Sequence, residues 1–346
     1  MRSITAKQPG PTNTHDLTTP ALVVEGSSLD ANIAAMALER PAGRLRPHVK
    51  AFKSTQLARH VSVRGGHRHF CCATLAEMEG LAAAGLGEDL LLANETLDAD
   101  RLGALVRRDD CRITVAVDSP ETVDVASSAG ADVLIDVDVG LPRCGCLPAD
   151  AGRLADRARR AGLNVRGVMG YEGHTVAEAD RDQRRRAVDE SMRLLAGARD
   201  AVGGGLTSAG ATGTFDMHES TDEVQAGSYL LMDSAYASMG LPFATALSLE
   251  VTVISRSPKG WCVVDCGLKS LGMDHGNPSV EGMSVFFCSD EHTTLLPTEG
   301  AEPPPVGTRL RVTPAHVDPT VAYHSLLHIT DGDDVIETWP VDLRGW

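Results

Sequence analysis

The feature that most constrains the fold is a regular alternation of short apolar runs and helical patterns through most of the chain. The runs are rich in Val, Ile and Leu, which is typical of buried strands in a parallel sheet. Eight such runs cover residues 45–50, 69–73, 89–93, 112–117, 132–137, 165–171, 205–208 and 229–232. Eight strand and helix units predict an α/β fold, namely a (β/α)8 TIM barrel over about residues 25–245.

The pattern changes after Leu247, where the helical periodicity stops. Strand-like runs at residues 249–254, 261–265, 285–288, 309–313 and 324–329 are separated by Gly and Pro turns. This pattern predicts a mostly β domain, with residues 299–305 as a surface loop. We therefore expect an N-terminal segment (residues 1–20), a barrel domain (21–246) and a C-terminal β domain (247–346).

Composition and charge argue against several classes of partner. The 346-residue chain has a formal net charge of −15, so we expect neither nucleic acid nor an anionic membrane surface as a partner, since both are polyanionic. Residues 1–19 are polar and predict neither a signal peptide nor a membrane span, which favours a cytoplasmic protein. The eight cysteines form no C-x-x-C pair, and reduced thiols are expected.

The first apolar run ends in a lysine whose position suits covalent catalysis. The run contains Arg46-Pro-His-Val-Lys50, in which Pro47 forbids a helix and biases Arg46 toward an extended conformation. Lys50 is therefore expected at the carboxyl end of the first strand, where enzymes with this barrel carry their catalytic residues. Taken alone, the motif also fits an exposed lysine without a function.

Further reactive side chains follow later strands of the predicted barrel. Arg143 closes the segment after the fifth run, Tyr171-Glu-Gly-His174 follows the sixth, and Ser208-Ala-Gly-Ala-Thr-Gly-Thr214 follows the seventh. The glycines and hydroxyls of the last motif allow backbone and side-chain donors to approach a phosphate. A lysine, an arginine, a histidine and a phosphate-type loop at one end of a barrel predict pyridoxal phosphate, with Lys50 forming the Schiff base.

Together with Gln225-Ala-Gly-Ser-Tyr229, these motifs resemble the D-threonine aldolase and D-serine dehydratase family, which shares the alanine racemase fold. The resemblance runs from about Thr18 to the C-terminus and implies a homodimer with pyridoxal 5′-phosphate on Lys50 and Arg143 at the phenolic oxygen. The other cofactor contacts that it implies are Tyr171, Ser208, Gly210, Thr212, Gly213, Thr214 and Tyr229. One departure is Ala51-Phe52-Lys53, where the family usually has Thr-His-Lys, so no role is carried over to Ala51 or Phe52.

A candidate metal motif, His316-Val-Asp318, follows the run at residues 309–313. Alternate residues of an extended segment point to one side, so an imidazole and a carboxylate can share a divalent ion. The same spacing in His67-Arg-His69 shows that two ligands alone can be a coincidence. The resemblance adds weight, because the family carries its metal in this segment, with cysteine in zinc dehydratases and aspartate in aldolases. Asp318 therefore favours an aldolase and favours Mn²⁺ or Mg²⁺, with Zn²⁺ as the alternative.

These observations predict an enzyme, a carbon–carbon lyase that cleaves a D-threonine-like D-3-hydroxy-α-amino acid to glycine and an aldehyde. The metal would lower the pKa of the β-hydroxyl, and a metal-bound water or His174 would remove its proton. Alternatively, His174 only orients the cofactor. The nearest rival is a metal-assisted dehydratase that releases a keto acid and ammonia. An amino-acid racemase would not explain the pair of candidate metal ligands, His316 and Asp318. A non-catalytic pyridoxal phosphate carrier is disfavoured because such carriers lack the second domain.

Overall fold

The computed structural model describes residues 12–176, 178–298 and 300–346. The chain divides into two compact units. The parallel unit comprises Asn32–Leu230, Met239–Phe243 and Asp342–Trp346, and the β unit comprises the described residues from 12 to 31 together with Leu231–Ser238 and Ala244–Val341. The first eleven residues of the expected N-terminal segment and Glu299 of the expected surface loop lie outside the described residues. Within the described ranges, no helix has both the length and the apolar character needed to cross a membrane.

Strands and helices account for most of both units. The strands are β1 Ala21–Glu25, β2 His69–Cys72, β3 Asp89–Leu92, β4 Ile113–Val117, β5 Asp132–Asp136, β6 Val165–Gly170, β7 Leu206–Ala209, β8 Glu223–Val224, β9 Leu247–Arg256, β10 Cys262–Val264, β11 Ser279–Val280, β12 Met283–Cys288, β13 Thr293–Pro297, β14 Arg309–Thr313, β15 Leu326–Asp331 and β16 Asp334–Pro340. The α-helices are α1 Gly26–Glu39, α2 Thr55–Gly65, α3 Leu75–Ala83, α4 Ala99–Val106, α5 Pro120–Ala129, α6 Ala151–Arg160, α7 Arg181–Ala201, α8 Ser234–Ala237 and α9 Val317–Tyr323.

The parallel unit is organised around one sheet in which β2 to β8 are neighbours in chain order and run parallel. Helices α3 to α7 each connect one strand to the next, as the alternating pattern predicts. One face of the sheet buries a cluster of Leu91, Ala116, Leu134 and Met169, contributed by four successive strands. Such strands are apolar because both of their faces are covered.

The predicted first strand, residues 45–50, forms two isolated bridges instead of a regular ladder. Leu45 bridges Val224 of β8, and His48 bridges Cys71 of β2, both in parallel orientation. The segment therefore joins the two edge strands of the sheet, but Pro47 has no N–H to donate to a ladder. The chain then turns directly into the 3-10 helix Val49–Ala51.

The predicted eighth strand, residues 229–232, was wrong. The eighth strand of the sheet is β8, Glu223–Val224, which pairs with β7. The apolar run that suggested a strand overlaps the 3-10 helix Ser228–Leu230. A short apolar run buried on all sides has no periodicity that separates a strand from a helical turn.

Buried charges link several strands of the parallel unit. The Arg46 guanidinium donates to Glu223 Oε1 (2.7 Å) and to Asp89 Oδ1 (3.1 Å), and Arg166 donates to Asp89 Oδ2 (2.8 Å). Burial opposes the charge on Arg46, but the two carboxylates outweigh it and raise the pKa of Arg46. Burial likewise opposes the charge on Asp89, but the two arginines lower its pKa to about 2. Because each charge has partners, the network can stay ionised inside the unit.

The β unit contains one nine-stranded sheet in the order β10, β13, β12, β11, β14, β9, β1, β15, β16. An additional antiparallel pairing of β10 with β9 closes part of this sheet into a barrel. Strand β1, which the sequence pattern grouped with the barrel domain, lies here, antiparallel to β9 and parallel to β15. Each of the five strand-like runs predicted for this region overlaps a strand, whereas β11, β13 and β16 were not predicted.

Candidate functional site

Lys50 lies in the 3-10 helix Val49–Ala51, directly after the segment that bridges β8 and β2. Since this segment runs parallel to both strands, Lys50 lies at the carboxyl end of the sheet, and it is half-buried there. The His48 N–H donates to the Ala226 carbonyl (3.1 Å), and a Cβ on Gly227 would lie 2.2 Å from the His48 carbonyl oxygen. Glycine is therefore needed for residues 225–229 to approach the lysine.

The loop of residues 210–214 lies against the same segment. The Tyr229 N–H donates to Thr212 Oγ1 (3.0 Å), which ties the loop to the chain that passes the lysine. Gly210 has a φ of +90°, a conformation that favours glycine. A Cβ on Gly213 would lie 2.9 Å from a methionine methyl group, so the loop is also tightly packed there. The structure thus brings together the predicted phosphate loop, Tyr229 and the Lys50 turn.

The Tyr229 hydroxyl is a buried polar group that lacks a hydrogen-bond partner among the described residues. Its side chain is fully buried, and its ring centroid lies 5.5 Å from that of Phe243. Its hydroxyl oxygen has no hydrogen-bond partner within the described part of the chain, and burial raises the pKa of the phenol. A buried hydroxyl in this state calls for an explanation, and a bound ligand is one that the surrounding residues fit.

Arg143, Tyr171 and His174 lie in the segments that follow β5 and β6. The Arg143 guanidinium carbon is 5.2 Å from the centroid of the Tyr171 ring, within the range of a cation–π contact. His174 is exposed and packs against Gly140, where a Cβ would lie 2.7 Å from the imidazole Cε1. The backbone of the segment that ends at Arg143 therefore supports the His174 ring.

Two of the predicted contact residues turn inward. The Ser208 hydroxyl donates to Glu223 Oε1 (2.8 Å), so its proton is engaged by the buried Arg46 network. The Thr214 hydroxyl donates to Glu172 Oε1 (2.7 Å). Sequence analysis assigned no role to Glu172, although it lies in the Tyr171-Glu-Gly-His174 motif, nor to His218, which lies buried beside it.

A buried carboxyl with a raised pKa, that of Asp136, accompanies Arg143. Asp136, the last residue of β5, is buried, and burial together with the nearby Glu95 carboxylate raises its pKa well above the ordinary value, although Arg143 opposes this. Asp136, Arg143 and Tyr171 line one small cleft. A carboxyl that keeps its proton can donate a hydrogen bond at neutral pH.

The β unit brings His316 and Asp318 together, but not through the expected extended segment. His316 precedes α9 in an extended conformation, whereas Asp318 lies in the first turn of that helix. His316 Nε2 is nevertheless 3.5 Å from Asp318 Oδ2. Two ligand atoms that are each about 2.1 Å from one ion lie about 3.0–3.5 Å apart, so the pair fits a shared divalent cation.

Two further residues, which sequence analysis did not identify, surround His316. Its Nδ1 atom is 2.8 and 2.9 Å from the two carboxylate oxygens of Asp274, and the His275 ring stacks on it with centroids 3.8 Å apart. Ligand atoms of Asp274, His275 and His316 lie within 4.8 Å of one another. Burial opposes the charge on His316, but Asp318 and Asp274 outweigh it and raise its pKa.

Neighbouring contacts hold this cluster in place. The Asp233 carboxylate is buried and accepts from the Val317 N–H (2.9 Å), which fixes the start of α9. Gly272 forms a bridge with His316 and donates its N–H to Thr320 Oγ1 (2.8 Å). By contrast His67, the other candidate from the paired spacing, is buried, and burial lowers its pKa to about 4.

Two family models match the chain. The model described as "Alanine racemase, N-terminal domain" matches residues 24–235, and that described as "Putative serine dehydratase domain" matches residues 246–330. Together they cover both the Lys50 region and the His316 region.

Whole-chain relatives show the same likeness. A D-threonine aldolase from an Arthrobacter species is 31% identical over 95% of this chain and 93% of its own. A D-threo-3-hydroxyaspartate dehydratase from a Delftia species is 28% identical over 95% of this chain and 98% of its own. The crystal structure of D-threonine aldolase from Filomicrobium marinum superposes with a TM-score of 0.91 at 30% identity and covers 97% of this chain and 99% of its own.

Proposed function

Because this chain belongs to the D-threonine aldolase and D-serine dehydratase family of the alanine racemase fold, we propose that it is an aldolase dependent on pyridoxal 5′-phosphate and a divalent metal. It cleaves D-3-hydroxy-α-amino acids to glycine and an aldehyde. The choice of aldolase rests on the aspartate at position 318, whose carboxylate lies 3.5 Å from His316. The family resemblance implies a cysteine at this position in the dehydratases.

The residues around Lys50 fit the cofactor. Lys50 would hold it covalently, the loop of residues 210–214 would take its phosphate, and Arg143 would face its phenolic oxygen. The buried Tyr229 hydroxyl, which has no partner among the described residues, fits a polar ligand at this place. When bound, the cofactor supplies an electron sink for the pair released when the Cα–Cβ bond breaks.

The protein's own groups then have separate tasks. Arg143, held over the Tyr171 ring, places a positive charge at the cleft. The raised pKa of the Asp136 carboxyl favours its neutral form, which can donate a hydrogen bond without adding a negative charge. His174 is exposed, supported by Gly140, and can accept the β-hydroxyl proton on an imidazole nitrogen.

His316 and Asp318 would hold the metal, which supplies a Lewis acid that lowers the pKa of the β-hydroxyl. We propose that Asp274 orients His316 instead of binding the ion. An imidazole that donates its Nδ1 proton to a carboxylate presents the Nε2 lone pair to a metal, and Nε2 is the atom that faces Asp318. A carboxylate ligand favours Mn²⁺ or Mg²⁺, with Zn²⁺ as the alternative.

This arrangement predicts the effect of Asp274→Asn. The amide is a weaker acceptor for the His316 Nδ1 proton, so we expect metal affinity to fall by about 10-fold to 100-fold. Competition with a chelator of known affinity measures the change, and Asp290→Asn, at an exposed position of the same unit, serves as the matched control. Unchanged affinity contradicts the role of Asp274, and a loss as complete as that of Asp318→Ala indicates that Asp274 is itself a ligand.

We further propose that the parallel sheet and its bridging segment are a (β/α)8 barrel and that the enzyme is a homodimer. The order of β2 to β8 and the two bridges of residues 45–48 support the barrel. The likeness to the alanine racemase family supports both proposals.

The decisive assay identifies the products. Incubation with D-threonine should yield glycine and acetaldehyde, whereas a dehydratase would yield a keto acid and ammonia from D-threonine or D-serine. The dehydratase is the second candidate because a relative with that activity aligns over 95% of this chain. Racemisation without either product set would contradict both.

A further inference from the structure

A buried acid and a buried histidine lie directly behind the loop of residues 210–214 in the parallel unit. The side chains of Glu172 and His218 are both fully buried, with Glu172 Oε1 and His218 Nε2 2.9 Å apart. Neither residue belongs to the groups named above for the cofactor, the metal or the β-hydroxyl proton. Burying a carboxylate is costly unless hydrogen bonds compensate it, so the contacts of Glu172 should explain its position.

Glu172 contacts both ends of the loop. Its Oε1 atom accepts from the Thr214 hydroxyl (2.7 Å), and its Oε2 atom accepts from the Gly210 N–H (3.3 Å). The Thr214 hydroxyl in turn accepts from the Ala211 N–H (3.2 Å). One carboxylate therefore holds the loop at residues 210 and 214 directly and at residue 211 through the Thr214 hydroxyl. None of these contacts involves the middle residues, 212 and 213.

His218 is fixed on its other side as well. Its Nδ1 atom is 3.2 Å from Thr221 Oγ1, and its carbonyl accepts from the Arg40 guanidinium (2.9 Å). A Cβ on Gly210 would lie 2.9 Å from His218 Nε2, so the imidazole also packs against the loop itself. The histidine therefore cannot turn away from Glu172 without displacing the loop.

A histidine accompanies the acid because a buried carboxylate needs hydrogen-bond partners. His218 Nε2 lies 2.9 Å from Glu172 Oε1, within hydrogen-bond distance, and so supplies such a partner. Burial opposes the charge on Glu172, but His218 and the Thr214 hydroxyl outweigh it and lower the pKa of Glu172. The acid thus stays a strong acceptor for the loop.

We propose that Glu172 and His218 are positioning residues for the phosphate of the cofactor, which hold the loop of residues 210–214 in its phosphate-binding form from behind. This inference rests on the proposed function, because it takes the phosphate to bind this loop. It assigns a specific consequence: loss of the pair weakens recognition of the phosphate group and leaves attachment at Lys50 intact.

The test compares pyridoxal 5′-phosphate with pyridoxal, which lacks the phosphate. Cofactor-free protein is titrated with each compound, and the ratio of the two affinities is recorded for wild type and Glu172→Gln. The amide cannot accept from Thr214, Gly210 and His218 as the carboxylate does. We expect affinity for pyridoxal 5′-phosphate to fall on the order of 10-fold to 100-fold and affinity for pyridoxal to change by less than about threefold. Because Lys50 contributes to both affinities, it cancels in the ratio.

Two further variants complete the design. Glu190→Gln, at an exposed position of α7 where the acid pairs with Arg193, is the matched control and should leave both affinities unchanged. His218→Gln removes the imidazole that lies between Glu172, Thr221 and Gly210, so it should lower the ratio in the same direction, and it carries the test if Glu172→Gln does not fold. An unchanged ratio in the folded variants would overturn the inference. A wild-type protein that does not prefer pyridoxal 5′-phosphate over pyridoxal would overturn the proposed cofactor site itself.

Discussion

Lys50→Ala should give a colourless protein without detectable cleavage of D-3-hydroxy-α-amino acids. The wild-type protein should be yellow, because a lysine-bound cofactor absorbs visible light. We expect activity to fall by at least about 10³-fold, since no other group replaces a missing nucleophile in a covalent mechanism. Lys50 is expected to react because it is half-buried at the carboxyl end of the parallel sheet, next to residues 225–229.

The lysine that carries the cofactor can be identified directly. Borohydride reduction followed by peptide mapping should place the label on Lys50. Lys53 pairs with the buried Glu77, and Lys269 pairs with Glu291 at the surface, so neither is expected to be labelled. Lys269→Ala is the control and should keep both colour and activity. A label on Lys53 or Lys269 would place the cofactor elsewhere in the chain.

Much of the secondary structure could be predicted from local pattern. Strand β14 occupies the same residues, 309–313, as the predicted run, and β3 and β5 each differ from their runs by one residue. Strands β3 and β5 contain a continuous apolar stretch, and β14 alternates polar and apolar residues, so each carries a recognisable strand pattern. Strand β8 has two residues, one of them Glu223, so it carries no such signal, although it is an edge of the sheet. The acid is tolerated there because Arg46 pairs with it (2.7 Å).

Sequence could predict only those parts of the candidate site whose residues follow neighbouring strands, because the carboxyl ends of parallel strands lie at one edge of the sheet. Arg143, Tyr171 and Thr212 follow strands of one parallel sheet, and Lys50 follows the segment that bridges its two edge strands in parallel, so their shared edge follows from the pattern. Partners that meet through tertiary packing gave no such signal. Asp274 lies 42 residues before His316, and the two meet because the chain at Gly272 bridges His316. Their contact depends on packing that no local sequence pattern encodes.

The proposed cofactor residues and the proposed metal residues belong to different units, which has an experimental consequence. Lys50 and the loop of residues 210–214 belong to the parallel unit, whereas His316, Asp318 and Asp274 belong to the β unit. The hydrogen bonds from the His48 N–H to the Ala226 carbonyl and from the Tyr229 N–H to Thr212 Oγ1, which tie the Lys50 turn and the loop together, lie within the parallel unit. Removal of the metal is therefore expected to leave cofactor binding intact and to affect only the chemical step.

Chelation should accordingly abolish carbon–carbon cleavage while the visible absorbance of the lysine-bound cofactor persists. Asp318→Ala should lower metal affinity by more than the roughly 10-fold to 100-fold typical of residues that only orient a ligand, because it removes a ligand atom. Asp318→Cys should retain binding but shift preference toward zinc, since a thiolate is a softer ligand than a carboxylate. Metal titration of the chelated protein, followed by recovery of activity, measures all three effects.

The Asp318 variants distinguish aldol cleavage from dehydration, because each variant changes only this side chain and leaves its neighbours the same. Asp290→Ala, at an exposed position of the β unit, is the matched control and should leave metal affinity unchanged. If exhaustively chelated protein still cleaves D-threonine at the wild-type rate, the β-hydroxyl does not need a Lewis acid, and the pair of His316 and Asp318 loses its proposed role. If instead Asp318→Cys binds zinc and releases ammonia from D-threonine, the residue at position 318 selects between aldol cleavage and dehydration, because the other residues near His316 are unaltered.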